Sequence, residues 1–303
     1  MSSAAGLRII IVGAGVSGCA TALALHRLGV RADVYERNPA ISALGAGVVV
    51  GPNAAHMLEK LGLEDKLDEV SCRSRDGINI VFREHVDSTI KFVGRLNTER
   101  RSFYCHHARL VQIIASELPQ DQIHLGKTLV DVTEASSSVT AHFHDGTWAT
   151  GHVLIGADGI KSSIRSLWNQ ESAVFSNQVA VRNIVKAEAL PAKLHECLTH
   201  GQMWLAPGRR HIVAFPIERA GFVAIAAVLP AWPGHEWWES WKIRGDVDIQ
   251  HSLESIDPLV RDLFKNPEGQ TIYGLYERRP LPTWIHGRTV LVGDAAHAML
   301  PHQ

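Results

Sequence analysis

Cysteine is scarce in this chain. The 303 residues hold four, Cys19, Cys72, Cys105 and Cys197, far apart and with no Cys-x-x-Cys pair. Neither a zinc site nor a disulfide framework is expected from that spacing, and a reducing, cytoplasmic setting is the default. Charge of one sign is also lacking. Thirty Lys and Arg face 31 Asp and Glu, for a net charge of −1. That balance offers no basic field for nucleic acid and no acidic tail. No apolar run reaches the roughly 18 residues of a membrane span, and Met1 to Leu7 is too short and polar for a secretory signal. Repeats and low-complexity tracts are missing; Ser136-Ser137-Ser138 reads as a turn between strands. What is present is a hydrophobic content of 46%, ample for a large core, in a length that allows roughly two domains.

Three glycine motifs stand out. Gly13-Ala14-Gly15-Val16-Ser17-Gly18 follows the apolar, β-branched run Leu7 to Val12, a pattern expected of a buried parallel strand. Gly13 permits a tight turn, Gly15 lets the backbone approach a pyrophosphate, and Gly18 lets the next helix pack close to the strand. Cys19 to Leu28 reads as that helix, ended by Gly29, with an N-terminus suited to phosphate. A second strand, Ala32 to Tyr35, ends at Glu36, about 20 residues beyond the glycines, where a carboxylate can bind ribose hydroxyls. Such an acid favours a 2′-hydroxyl and repels a 2′-phosphate, so the site suits FAD or NAD rather than NADP. Arg37 is the contrary hint, or simply a solvated charge at a strand end. The second motif, Gly156-Ala157-Asp158-Gly159, follows the strand Val153-Leu154-Ile155. The third, Gly293-Asp294-Ala295-Ala296-His297, follows Thr289 to Val292.

The rest of the chain alternates in blocks. A helix begins near Pro52 and another spans 106–118, with Leu110, Ile113, Ile114 and Leu118 inward. Short strands with turns at Ser136–Ser138 and Asp145-Gly146 fill Thr128 to Ile155. Residues 173–230 read as mostly β, and 246–265 as helical.

Taken together and in this order, the three motifs resemble the FAD-dependent aromatic hydroxylases, the single-component flavoprotein monooxygenases, with the closest likeness to a salicylate-hydroxylase-like fungal branch. The resemblance covers essentially the whole chain. It implies an α/β fold: a Rossmann-like FAD-binding domain over 1–172 that resumes at 270–303, with an inserted, mostly β substrate domain over 173–269. It implies that Gly13, Gly15, Gly18 and Glu36 hold the ADP half of FAD and that Arg37 borders it. By the same resemblance Asp158 lies near the flavin, Asp294 at the ribityl and pyrophosphate, Arg109 at the cofactor, and Gly45-Ala46-Gly47 beside the isoalloxazine. Each has a plainer reading. Arg109 suits phosphate as a guanidinium fork or lies on the surface. Asp158 binds hydroxyls or caps the helix expected from Lys161 to Leu167.

The implied reaction is hydroxylation of an electron-rich, phenolic small molecule, with NAD(P)H as co-substrate and O2, in secondary metabolism. The cofactor carries the hard chemistry. Arg182 falls where some members hold a phenolate or carboxylate; the alternative is an arginine on a strand face. Phe215 falls in the substrate pocket where a tyrosine is usual, and it cannot donate a hydrogen bond. His211 could act as acid or base near neutral pH, or be structural like most of the 17 histidines. No metal site, nucleic-acid partner or membrane span is expected, and the oligomeric state is left open.

Two competing readings are weaker. A flavin halogenase would carry Trp-x-Trp-x-Ile-Pro, and Trp238-Glu239-Ser240-Trp241 has the wrong spacing. A simple NAD dehydrogenase leaves the second and third motifs unexplained. The family's C-terminal helical part, expected after Pro301-His302-Gln303, is missing from this sequence. The alternative function is therefore a fragment or truncated remnant that binds FAD weakly and does not turn over.

Overall fold

The computed structural model describes residues 6–41, 47–74, 77–95, 101–218, 221–232, 249–265 and 270–301. The chain divides into two compact units: Met1–Leu44 with Leu110–Val174 and Tyr276–Gln303, and Gly45–Arg109 with Phe175–Leu275.

The first unit is built on a six-stranded sheet. Its order is Ile285–His286, Thr289–Leu291, Val153–Gly156, Arg8–Val12, Arg31–Glu36, Ile123–Leu125. All neighbours run parallel except the first pair. Ile9 to Val12 are all at most 8% exposed, as a strand covered on both faces requires. Each such side chain contributes about 1.5–3 kcal/mol by leaving water. Val12 pairs with Tyr35 on one side and Gly156 on the other, and Gly156 pairs with Leu291. This register brings three strand ends to one level. The first βα connection runs to one side of Arg8–Val12, while the strands of the second and third motifs lie on the other. The strand order therefore reverses beside Arg8–Val12, and ligands bind α/β sheets at the carboxyl ends of strands at such a point.

The helix after the first motif spans Val16–Arg27. It begins three residues before the expected Cys19, because Gly15 is already its N-cap. A three-stranded antiparallel meander, Leu129–Glu134, Val139–Phe143 and Trp148–Gly151, turns where Ser136–Ser138 and Asp145-Gly146 predict. Its Val139, Ala141 and Phe143 join Ile10, Leu154, Leu291 and Ala295 in one core cluster.

The second unit is built on a seven-stranded sheet: Thr271–Glu277, Val174–Lys186, Phe222–Pro230, Arg210–Glu218, Gly201–Ala206, Ile78–Glu84, Ile90–Arg95. A smaller sheet, Gly47–Val50, Phe103–His106 and Ser71–Arg73, accompanies it.

The break after Val174 lies close to the expected boundary at 172, but the two units divide the rest of the chain differently from the expectation of 1–172 and 270–303 against 173–269. Residues 45–109 and 270–275 belong to the second unit. The physical reason is strand pairing. Ile78–Glu84 adds in parallel to Gly201–Ala206, with Ile80 opposite Gly201 and Phe82 opposite Met203. The helix expected over 246–265 is also broken into Ile249–Ser252 and Pro258–Arg261. Asp257 caps the latter by accepting a hydrogen bond from Leu259 N, and Pro258 occupies its first position; proline is favoured there and cannot continue an earlier helix. Among the described residues, no helix is long and apolar enough to cross a membrane.

Candidate cofactor and substrate site

The three glycine motifs, far apart in sequence, meet at the ends of three adjacent strands. Gly13 has φ +106°, and a Cβ there would lie 2.4 Å from Ala157 O. A Cβ on Gly18 would lie 1.9 Å from Gly13 O and 3.3 Å from the Ala157 Cβ. The first and second motifs thus pack backbone against backbone. Gly15 differs: nothing lies within 4 Å of its absent side chain. Its open side borders a groove of about 240 Å³ lined by residues of the first unit. Among the described residues no side chain caps the helix that Gly15 starts, so its first N–H groups remain available to an anion. A cradle that a Cβ would fill, an open glycine and an uncapped helix end together fit a dinucleotide pyrophosphate.

Glu36 borders the same groove, but its carboxylate has protein partners. Ala14 N donates to Oε2 at 2.8 Å; Asn38 N and Nδ2 donate to Oε1 at 2.9 and 2.7 Å. Glu36 therefore braces the glycine turn, a role the spacing argument missed, while Oε2 keeps acceptor capacity for a ribose hydroxyl. Arg37 is exposed and lines the groove with Lys127 and Lys161. Burial, then the charge of Arg37, holds the Lys161 ammonium below its usual range. This cluster of cations favours an anion in the groove.

Asp158 combines both sequence readings. Its Oδ2 accepts from Ser163 N at 2.8 Å and Ile164 N at 3.3 Å, joining Ser162 in capping Ser163–Trp168. Its Oδ1 is buried with no hydrogen-bond partner among the described residues. Burial raises its pKa, opposed by hydrogen bonds from Ser162, Ile164 and Ser163. An orphaned buried acceptor beside the groove fits a hydroxyl donor on the cofactor.

The third motif is locked against the first. Gly293 has φ +59°, and a Cβ there would sit 2.1 Å from Ser17 Oγ. Asp294 follows on the helix Asp294–His297, exposed and with no hydrogen bond to its carboxylate among the described residues. Two arginines that sequence reasoning missed hold these turns. Arg165 is 1% exposed; it donates to Ala296 O at 2.9 Å and Arg279 O at 2.7 Å. Arg278 donates to Ile160 O at 2.9 and 2.8 Å and to Glu171 O. Both bind main-chain carbonyls, which any sequence supplies, so no motif signals them.

In the second unit, Gly47 is a packing glycine. A Cβ there would meet the Ala224 Cβ at 2.2 Å and the Phe215 ring at 2.8 Å. Phe215 is 6% exposed and sits in an apolar cluster with Tyr104, Ile217 and Ala224. Ala46, expected beside Gly47, lies outside the described residues, as do Gly45, Trp238 and Trp241. Arg109 is exposed on the first turn of His107–Ser116.

Arg182 sits opposite Ala226, and Ala226 opposite Val213. Side chains two residues apart on a strand share a face, so Arg182, His211 and Phe215 all lie on one face of the seven-stranded sheet. The Arg182 guanidinium lies 5.2 Å from the centroid of the Tyr273 ring. Burial lowers its pKa, opposed by Tyr273, and no carboxylate among the described residues pairs with it. The guanidinium stays charged, and a half-buried, unneutralised cation favours an anionic ligand.

The family described as FAD binding domain matches residues 7–303. A salicylate hydroxylase of Pseudomonas putida is 32% identical over 98% of this chain and 73% of its own length. A 6-hydroxynicotinate 3-monooxygenase of Pseudomonas fluorescens is 33% identical over 97% of this chain and 77% of its own. Among solved structures, a salicylate hydroxylase substrate complex superimposes with a TM-score of 0.81 at 29% identity, covering 99% of this chain and 75% of that one. With its three motifs gathered at the carboxyl ends of three adjacent strands, the chain belongs to the FAD-dependent aromatic hydroxylases.

Proposed function

We propose that this flavoprotein monooxygenase hydroxylates a small aromatic ring carrying an anionic oxygen, carboxylate or phenolate, with FAD as cofactor, NAD(P)H as reductant and O2 as oxidant. When bound, FAD supplies the redox chemistry and the oxygen transfer. The residues of this chain bind and orient. The turn at Gly13 and Gly15 and the uncapped helix end receive the pyrophosphate, Glu36 a ribose hydroxyl, and Asp158 and Asp294 further hydroxyls. Arg37 adds charge to the groove, and Arg109 offers a guanidinium to phosphate. Arg182 receives the substrate anion on an apolar sheet face, where His211 is the candidate to hold a phenolic proton. The same reading places the enzyme in the cytoplasm, where NAD(P)H is kept reduced.

One observation carries the substrate class: Arg182 is half-buried, lies against the Tyr273 ring and has no carboxylate partner among the described residues. The test compares acids with their amides. NAD(P)H oxidation and product formation are measured with salicylate and salicylamide, for wild type and Arg182→Lys. Turnover is expected with the acid, little with the amide, and much less with Arg182→Lys, since a point charge does not reproduce the guanidinium fork. Equal turnover of acid and amide by wild type would remove the anionic-oxygen reading.

A further inference from the structure

Arg182 lies on Val174–Lys186, and the adjacent edge strand Thr271–Glu277 carries Tyr273. The Tyr273 ring lies beside the guanidinium, 5.2 Å from centroid to Cζ. Tyr273 is itself fixed, because Thr271 Oγ1 donates to its hydroxyl at 3.0 Å. The two residues are i and i+2 on one strand, so both face the side that Arg182 occupies. Long arginine side chains lose considerable rotamer freedom when held in one geometry, and a ring face that attracts the cation supplies the hold without neutralising it. A carboxylate would fix the guanidinium as well, but would consume the charge that a substrate anion needs.

We infer that Tyr273, fixed by Thr271, is a positioning residue that holds the Arg182 guanidinium ready for a substrate anion and thereby sets selectivity for anionic over neutral aromatic rings. The inference rests on the assignment of Arg182 to the substrate. Tyr273 acts through Arg182 and touches no reacting atom.

The experiment measures dissociation constants by titration calorimetry on the FAD-loaded enzyme, with salicylate as anion and salicylamide as neutral counterpart. The variants are Tyr273→Phe, Tyr273→Leu and Arg182→Gln, each with flavin content and thermal midpoint checked. Losing the ring in Tyr273→Leu is expected to weaken salicylate binding about tenfold, with salicylamide unchanged. Tyr273→Phe, which keeps the ring, should recover most of that loss and leave a deficit of about threefold, as expected for a lost hydrogen bond. A variant that merely misfolds would lose both ligands together and shed flavin, and Tyr273→Phe decides such a case because its ring is retained. If Arg182→Gln abolishes the preference for the anion while Tyr273→Leu and Tyr273→Phe preserve it, the positioning role is wrong and the Arg182 assignment stands. If Arg182→Gln also leaves the preference intact, or wild type binds neither probe, the substrate reading fails and the inference with it.

Discussion

Ser17 Oγ lies 2.1 Å from the point where a Cβ on Gly293 would stand, with Ser17 Cβ at 2.8 Å. The first helix and the third motif are thus in contact at a residue that has no side chain and adopts φ +59°. Gly293→Ala should therefore cost about 1–3 kcal/mol for the backbone conformation alone, since φ +59° with ψ −142° is a region that glycine nearly monopolises, and more for the clash. The expected result is a lower denaturation midpoint and weaker FAD retention. Ser17→Gly in the same chain should recover the clash part but not the backbone part, a coupling that a double-mutant cycle of urea midpoints reads directly. Strict additivity would show that the two residues do not meet.

Glu36 gives a prediction on both stability and binding. Its Oε2 satisfies Ala14 N within the glycine turn. Glu36→Ala leaves that donor without its partner, at a cost of about 1–3 kcal/mol if no water replaces it. The cofactor-free protein should already be less stable, before FAD affinity is considered. A variant with unchanged denaturation in the absence of FAD would remove the bracing role and leave only the ribose role.

For Asp158 the sign follows from its raised folded-state pKa, caused first by burial. A carboxyl whose pKa is higher folded than unfolded binds its proton more tightly in the native state. The stability it contributes is present below the ordinary Asp value near 4 and is lost as pH rises through the folded value. Asp158→Asn keeps an acceptor for Ser163 N and removes the charge. The cofactor-free variant should be more stable than wild type at pH 7, with the gain shrinking toward pH 3, and should bind FAD more weakly. Chemical denaturation across that pH range checks the sign; a gain that grows on acidification would refute it.

Arg165, on the helix that follows the second motif, ties it to the third motif through Ala296 O and to the segment ahead of that motif through Arg279 O. Arg165→Lys cannot reach both carbonyls from a single nitrogen in the guanidinium geometry. A loss of about 2–3 kcal/mol is expected, since hydrogen bonds to charged groups contribute about 1.5–3 kcal/mol each. The loss should appear in the cofactor-free protein by urea denaturation. An unchanged midpoint would mean that the turns hold without it.

The Cys19 thiol is pushed up to about 12 by burial and by the charge of Glu36. Its Sγ donates to Ala14 O at 3.4 Å. A helix N-terminus alone would lower a thiol pKa, but here desolvation wins. Mass mapping after iodoacetamide treatment at pH 8 should find Cys19 unmodified in the native protein and modified in urea. Rapid native modification would contradict the burial.

The sequence by itself determined the elements whose cause is local. Ile9 to Val12 is apolar enough for a strand covered on both faces, Gly13 needs its positive φ, and the serine and Asp-Gly turns separate short strands. These follow from steric and solvation preferences that act over a few residues. Asp158 was legible only as a choice between cap and ligand, and one carboxylate oxygen serves the cap while the other has no partner among the described residues. Only the tertiary structure decided the rest. Residues 45–109 were read with the first unit because they follow it in sequence, yet Ile78–Glu84 finds its partner in Gly201–Ala206. The choice of partner strand lies in which apolar faces can be buried together, and no local pattern carries it. Arg165 and Arg278 were invisible for a related reason, since their acceptors are main-chain carbonyls that every residue possesses. Tyr273 beside Arg182 belongs to the same class: the two stand 91 positions apart, and only the pairing of an edge strand with its neighbour brings ring and cation into contact.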